Sequence, residues 1–114
     1  MSDCLFCKMV SGDIQPDKVY EDEQLLAFRD IDPQAPTHVL VIPKAHIATL
    51  NELEDGHAEL LGRMQLAASR IAEQEGIARR GYRTVMNCNA DGGQAVFHIH
   101  LHLLGGRAMR WPPG

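Results

Sequence analysis

Apolar and polar positions alternate in a way that divides the chain into short extended segments around one long amphipathic helix. Between residues 56 and 75, Leu60, Leu61, Met64, Ala67, Ala68 and Ile71 recur at i, i+1, i+4, i+7, i+8 and i+11. That spacing keeps them on one face of a helix. Asp55 is the expected N-cap and Gly76 the expected C-cap. Upstream, residues 18–21 and 25–29 predict two strands joined by the acidic turn Asp22-Glu23, a hairpin. Residues 30–37 carry Pro33 and Pro36 and predict an irregular connection. Residues 39–42 read Val-Leu-Val-Ile, a buried strand closed by Pro43. A short helix is expected over residues 4–11, ended by Gly12. A strand is expected over 82–87, a turn at Asp91-Gly92-Gly93 and a last, long strand over 96–104. Two prolines keep the tail, residues 110–114, irregular. Strands on either side of one long helix predict a single α+β domain, residues 1–114, with a mostly antiparallel sheet.

The last strand contains His98-Ile99-His100-Leu101-His102-Leu103-Leu104. Alternate residues of a strand face the same way, so the three imidazoles share one face and Ile99, Leu101 and Leu103 the other. The apolar face is expected in the core. The histidines are expected along a surface groove, about 6.6 Å apart at successive Cα atoms. Two chemistries suit such a row. One is a catalytic metal held by H-x-H. The other is nucleophilic attack by a neutral imidazole while its neighbours donate hydrogen bonds to the developing anion. Gly92-Gly93-Gln94 lies just upstream, where glycine backbone N–H groups can approach a phosphate and Gln94 offers a side-chain donor. No acidic residue follows His102 to supply a carboxylate ligand or base. Both features favour a phosphorus electrophile over a metal hydrolase.

Composition narrows the partners. The 114 residues are 45% apolar and 23% charged, ordinary for a folded domain and incompatible with disorder. The net charge is −4 and there is no Lys/Arg run, so a nucleic-acid partner is not expected. No apolar stretch reaches the ~20 residues of a membrane span. Met1-Ser2-Asp3-Cys4 lacks the basic start and apolar run of a signal peptide, and a cytoplasmic location is expected. Three cysteines, Cys4, Cys7 and Cys88, are too few for a disulfide framework. Cys4-Leu5-Phe6-Cys7 is a C-x-x-C pair, which alone fits zinc, redox chemistry or neither. Cys88 is expected to be an ordinary buried thiol and His57 a surface residue.

The histidine segment resembles the signature of the histidine triad family, His-φ-His-φ-His-φ-φ. The likeness extends through Asp30-Ile31, Pro33-Gln34-Ala35-Pro36-Thr37-His38 and Gly92-Gly93-Gln94. It continues into Leu104-Gly105-Gly106-Arg107 and the ending Trp111-Pro112-Pro113-Gly114. These segments resemble the Hint branch, the purine nucleoside phosphoramidases. The resemblance implies a five-stranded, mostly antiparallel sheet with one long and one short helix, and a homodimer with a sheet continuous across both subunits. It implies hydrolysis of the P–N bond of a purine nucleoside 5′-phosphoramidate through a nucleotidyl-histidine, releasing the nucleoside monophosphate and an amine. Dinucleoside polyphosphate hydrolysis, nucleotidyl transfer and a nucleotide-binding scaffold are the alternatives.

Among the candidate catalytic histidines His38, His98, His100 and His102, the resemblance makes His100 the nucleophile, has His102 contact the phosphoryl oxygens and places His38 beside the triad as a supporting or proton-relay group. The implied nucleotide site adds Phe28, Asp30, Ile31, Asn87, Gly93, Gln94, Ala95 and Trp111. Asp30 would accept hydrogen bonds from the ribose hydroxyls. Ala95 stands where close relatives often carry a serine. Trp111 is implied to reach the neighbouring subunit's site. The C-x-x-C members of the family imply a structural zinc on Cys4, Cys7, His46 and His98, with no cofactor needed for the chemistry.

Overall fold

The computed structural model describes residues 3–114; Met1 and Ser2 of the N-terminal segment lie outside the described residues. Helix α1 (Leu5–Ser11) is followed by strands β1 (Lys18–Glu21), β2 (Leu25–Arg29) and β3 (Thr37–Pro43). Two single 3₁₀ turns lead into helix α2 (Ala58–Gln74). Strand β4 (Tyr82–Val85), a four-residue helical turn α3 (Asn89–Gly92) and strand β5 (Leu101–Gly105) complete the chain. The five strands form one sheet in the order β1-β2-β3-β5-β4, every neighbouring pair antiparallel. This is the expected α+β architecture.

Each face of the sheet is covered differently. On one face α2 buries Met64, Ala67, Ala68, Ile71 and Ala72 against Leu25, Ala27, Val39, Val41, Ile99, Leu101 and Leu103. On the other, the single buried residue of α1, Phe6, packs with Leu26, Phe28, Leu40 and Ile42. β3 lies between β2 and β5 and is buried along its whole length, because its alternate side chains supply both cores. That is why Val-Leu-Val-Ile carries no polar alternation.

Several local expectations are corrected. The last strand is shorter than 96–104. Its pairing with β3 stops at Leu101 opposite Val41. Before that point the Ile99 N–H donates to the Ile47 carbonyl at 2.8 Å, and the His98 side chain takes the Pro43 carbonyl at 2.7 Å. These bonds draw residues 96–100 out of the sheet. β4 likewise ends at Val85, its last partner on β5 being His102. Asp91-Gly92-Gly93 belongs to α3 and its cap, Gly93 closing the turn at φ 80°, a conformation that suits glycine. Asp55 is not a cap but opens a 3₁₀ turn into α2, and His57 Nδ1 accepts the Glu54 N–H at 2.9 Å. His57 is half-buried and structural, and Cys88 is half-buried at the start of α3. β5 closes tightly on the loop after α2: a Cβ on Gly105 would lie 2.5 Å from Ile77 Cδ1. Among the described residues no helix is long and apolar enough to cross a membrane.

Candidate functional site

The alternation predicted for the histidine segment holds, with Ile99, Leu101 and Leu103 in the α2 core and the imidazoles on the α1 face. An open groove along all three is not found. His98 is 0% exposed and His100 8%, while His102 is half-buried. Phe6 accounts for the difference. Its ring lies edge-on to His98, His100 and Phe28, at centroid distances of 5.8, 5.1 and 5.5 Å. Helix α1 thus roofs the first two histidines and leaves the third at the opening.

Backbone partners fix which nitrogen of each ring carries the proton. His98 donates its Nε2–H to the Pro43 carbonyl at 2.7 Å, which bares its Nδ1 lone pair. His100 donates Nδ1–H to the His98 carbonyl at 2.8 Å, which bares Nε2. His38 Nδ1 accepts the Gln34 N–H at 3.0 Å, so its Nε2 holds the proton and donates to His102 Nδ1 at 2.9 Å. His102 is then left with an Nε2–H of its own. The rings of His100 and His102 are 4.9 Å apart. A bare nitrogen on one ring and an N–H on the next is an arrangement for attacking an electrophile and holding the oxygen it carries.

Burial disfavours charge on these rings. It lowers the pKa of His100, with the His98 carbonyl and Asp30 opposing. Burial also lowers that of His38, against the pull of Asp30 and Asp32. His102 is lowered to about 4, first by burial and then by its neighbours His100 and His38. The row is therefore neutral at pH 7, as a nucleophilic imidazole requires.

His98 Nδ1 looks away from this row. It lies 3.4 Å from Cys4 Sγ, 3.6 Å from Cys7 Sγ and 3.3 Å from His46 Nδ1, and Cys7 Sγ is 3.2 Å from His46 Nδ1. Zinc bonds of 2.0–2.3 Å in a tetrahedron put ligand atoms roughly 3.3–3.8 Å apart. Three of these four distances fall in that range and the Cys7 Sγ–His46 Nδ1 distance lies just below it, with a bare lone pair aimed at two sulfurs. Burial and the adjacent Cys4 raise the Cys7 pKa, a penalty on the thiolate that a bound dication would offset. Asp30, His38 and His102 also lie close together, with His38 Nε2 3.5 Å from Asp30 Oδ2. They do not suit a metal. The Gln34 N–H keeps the proton on His38 Nε2, the atom that would have to ligate.

The other expected residues differ in burial and in their partners. Phe28 is buried at the end of β2. Asp30 accepts the Asp32 N–H on Oδ1 at 2.8 Å and keeps Oδ2 toward His38. Ile31 is 98% exposed, and Asn87 is half-buried beyond β4. Gln94 is not a free donor. Its Nε2 donates to the Ala48 and Val96 carbonyls and its Oε1 accepts the Asn89 N–H. It ties the Gly93 turn in place, so any donor from this segment is backbone. Ala95 lines an open depression of about 460 Å³ beside Cys4, His46 and Phe97. Trp111 is 82% exposed. The sequence reading missed Phe6, the Gln34 N–H and the carbonyls of Pro43 and His98. Only Phe6 left a trace, as one of the two apolar residues inside C-x-x-C.

Residues 11–109 match the HIT domain. The chain belongs to the HIT family. It is 54% identical over 105 residues to the purine nucleoside phosphoramidase of Escherichia coli K12, covering 92% of this chain and 88% of that one. It is 50% identical over 115 residues to a 14 kDa zinc-binding protein of Zea mays, covering 99% and 89%. The crystal structure of a HIT family hydrolase from Legionella pneumophila Philadelphia 1 superposes with a TM-score of 0.96. The two are 57% identical, and the match covers 98% of this chain and all of that one.

Proposed function

We propose that this HIT protein is a hydrolase that cleaves the P–N bond of purine nucleoside 5′-phosphoramidates, with His100 as the nucleophile. The observation that carries the reading is the bare Nε2 of a buried, neutral His100, held by the bond from its Nδ1–H to the His98 carbonyl. The likeness to a purine nucleoside phosphoramidase supports the substrate class. His100 Nε2 forms a bond to phosphorus as the P–N bond breaks, and the departing nitrogen takes up a proton and leaves as the amine. Water then attacks phosphorus, the N–P bond of the nucleotidyl-histidine breaks, and the nucleoside monophosphate is released with His100 neutral again. His102 Nε2–H serves the phosphoryl oxygens, and the Gln34–His38–His102 chain holds that proton outward. Asp30 receives the ribose hydroxyls, and Phe28 and Ile31 flank the base. In the Gly93-Gln94-Ala95 segment the first two N–H groups already donate to the Ala90 and Asn89 carbonyls, so the Ala95 N–H is the backbone donor offered to the phosphate, beside Asn87. Rapid quenching with an adenosine phosphoramidate, followed by mass spectrometry, tests this. An adenylyl group on His100 is expected, and its appearance on another residue would overturn the assignment.

The pH dependence follows from the lowered imidazole pKa values. Protonation removes the lone pair of the nucleophile, His100, so activity falls with acid. Because all three rings are lowered, the acid limb of kcat/KM is expected below the ~6.5 of a free imidazole. A midpoint at or above that value would mean that the nucleophile is not the buried ring.

Cys4, Cys7, His46 and His98 would hold one structural zinc, tying α1 to the chain after β3 and to the segment before β5. The unpaired outer edge of β4, together with the exposed Leu66 on α2, supports a homodimer that continues the sheet. Trp111 would then act in the partner's site. The tail's recorded tie is the Arg110 carbonyl, which accepts from Arg83 Nη2 at 2.7 Å. Deleting residues 110–114 is expected to shift Tm by no more than about 4 °C, since little surface is lost from the core. It is expected to change the ratio of rates on bulky and small leaving amines severalfold. An unchanged ratio would leave the tail with no role in selectivity.

A further inference from the structure

From Gly76 to the end of the chain there are five arginines, Arg79, Arg80, Arg83, Arg107 and Arg110, and a single acidic residue, Asp91. Antiparallel pairing brings the two arginine segments together, with Tyr82 opposite Gly105 and Arg83 opposite Leu104. None of the five forms an ion pair among the described residues. At this end of the sheet, between the loop after α2 and the chain after β5, is a cavity of about 250 Å³. Ile77, Arg80, Gly81, Gly106 and Arg107 line it, and no carboxylate does.

Arg107 is held without being neutralised. Its Nε and Nη2 donate to the Gln34 carbonyl at 3.1 Å each, and Nη1 donates to the Ala108 carbonyl at 3.2 Å. Three of its five N–H groups are used on neutral acceptors. Two remain, in a fork whose direction is already set. Arg80 has no recorded partner. Of the two carboxylates at the end of α2, Glu73 is exposed and does not line the cavity. Glu75 is gripped by both terminal nitrogens of Arg29, at 3.0 and 2.9 Å. The last α2 carbonyls accept from Glu75, Gly76 and Ile77. A surface that keeps two guanidinium charges beside a cavity with nothing to balance them is complementary to a dianion.

We infer that this cavity is a second ligand site, separate from the histidine row, that takes the phosphate group of a small molecule. The charge of a phosphate monoester near pH 7, about −1.5 to −2, matches the two arginines. The volume lies below the ~300–1,000 Å³ of pockets that enclose drug-sized ligands. No aromatic side chain lines it to stack a base, so nothing in the lining favours a nucleotide over a smaller phosphate ester. Inorganic phosphate and a phosphoryl group on a small alcohol share the recognised chemistry.

Amide NMR of the full chain tests the site residue by residue. The protein is titrated separately with inorganic phosphate, glycerol 3-phosphate, acetate and chloride at constant ionic strength, and shifts at the histidine row are read apart from those at the cavity. Saturable shifts at Ile77, Gly81 and Gly106 are expected with one or both phosphates and not with acetate or chloride. Phosphate alone would identify the free ion as the ligand, and tighter binding of the ester would identify a phosphorylated small molecule. Arg80→Gln, which removes no recorded bond, is expected to weaken binding about tenfold while leaving phosphoramidate turnover unchanged. Arg107→Gln is expected to weaken it as well. Shifts confined to Asn87–Ala95, equal shifts with chloride, or an affinity unmoved by Arg80→Gln would each overturn the proposal.

Discussion

His100→Ala is expected to reduce phosphoramidate turnover by on the order of 10⁴-fold or more while AMP still binds. Removing a covalent nucleophile takes away a whole reaction path, whereas losing one contact to the transition state costs far less. Most of the proposed nucleotide contacts would remain in the variant, because Phe28, Asp30 and the Gly93 segment do not depend on His100 for their positions. The substitution also leaves the His98 carbonyl without the 2.8 Å bond it receives from His100 and opens space beside Phe6. A buried acceptor left without its donor costs about 1–3 kcal/mol, so some loss of stability is expected alongside the loss of activity. Turnover measured well below the variant's Tm separates the two effects. Wild-type turnover in a folded His100→Ala protein would remove His100 from the mechanism.

His102→Ala makes the comparison sharper. If His102 donates to the phosphoryl oxygens, its loss should cost turnover, yet His100 should still become nucleotidylated, only more slowly. The difference in outcome follows from the different tautomers of the two rings. One is a bare nitrogen and the other an N–H.

Those tautomers are the part of the site that the sequence does not carry. The His-φ-His alternation is local, and it correctly sends Ile99, Leu101 and Leu103 to the core. The 3.6-residue period of α2 and the apolar run of β3 are local in the same sense, and both elements form close to where the pattern puts them. What fixes the chemistry is the identity of distant backbone atoms: the Pro43 carbonyl for His98 and the Gln34 N–H for His38. The shortening of the last strand has the same origin, because Ile47 and Pro43 take up groups that an uninterrupted ladder would use. Gln94 shows the converse. As a residue type it is a plausible phosphate donor, but Asn89, Ala48 and Val96 occupy its whole amide. Nor could the pattern reveal that Phe6 covers the first two histidines, since that contact depends on how α1 folds back over the sheet.

The second large effect concerns that fold-back. Helix α1 has seven residues and buries only Phe6, too little to hold it by packing alone. Cys4 Sγ caps it by accepting the Cys7 N–H at 3.3 Å, and the same sulfur faces His98 Nδ1. A zinc on Cys4, Cys7, His46 and His98 would close a cross-link between α1, the loop after β3 and the segment leading into β5. Binding of this kind adds to folding free energy, since the separated ligands of the unfolded chain hold the ion less well. Protein purified without a histidine tag is therefore expected to contain close to one zinc per chain. Cys4→Ser/Cys7→Ser should contain almost none and should melt on the order of 10 °C lower. Its turnover should fall far less than that of His100→Ala, because Phe6 would loosen over His100 without removing the nucleophile. Acid should release the ion as His46, His98 and the thiols compete for protons, and zinc release measured against pH should track the loss in Tm. A wild-type protein that takes up no zinc when exposed to it, or a serine variant with unchanged zinc content, would show that the four side chains are packed together for another reason.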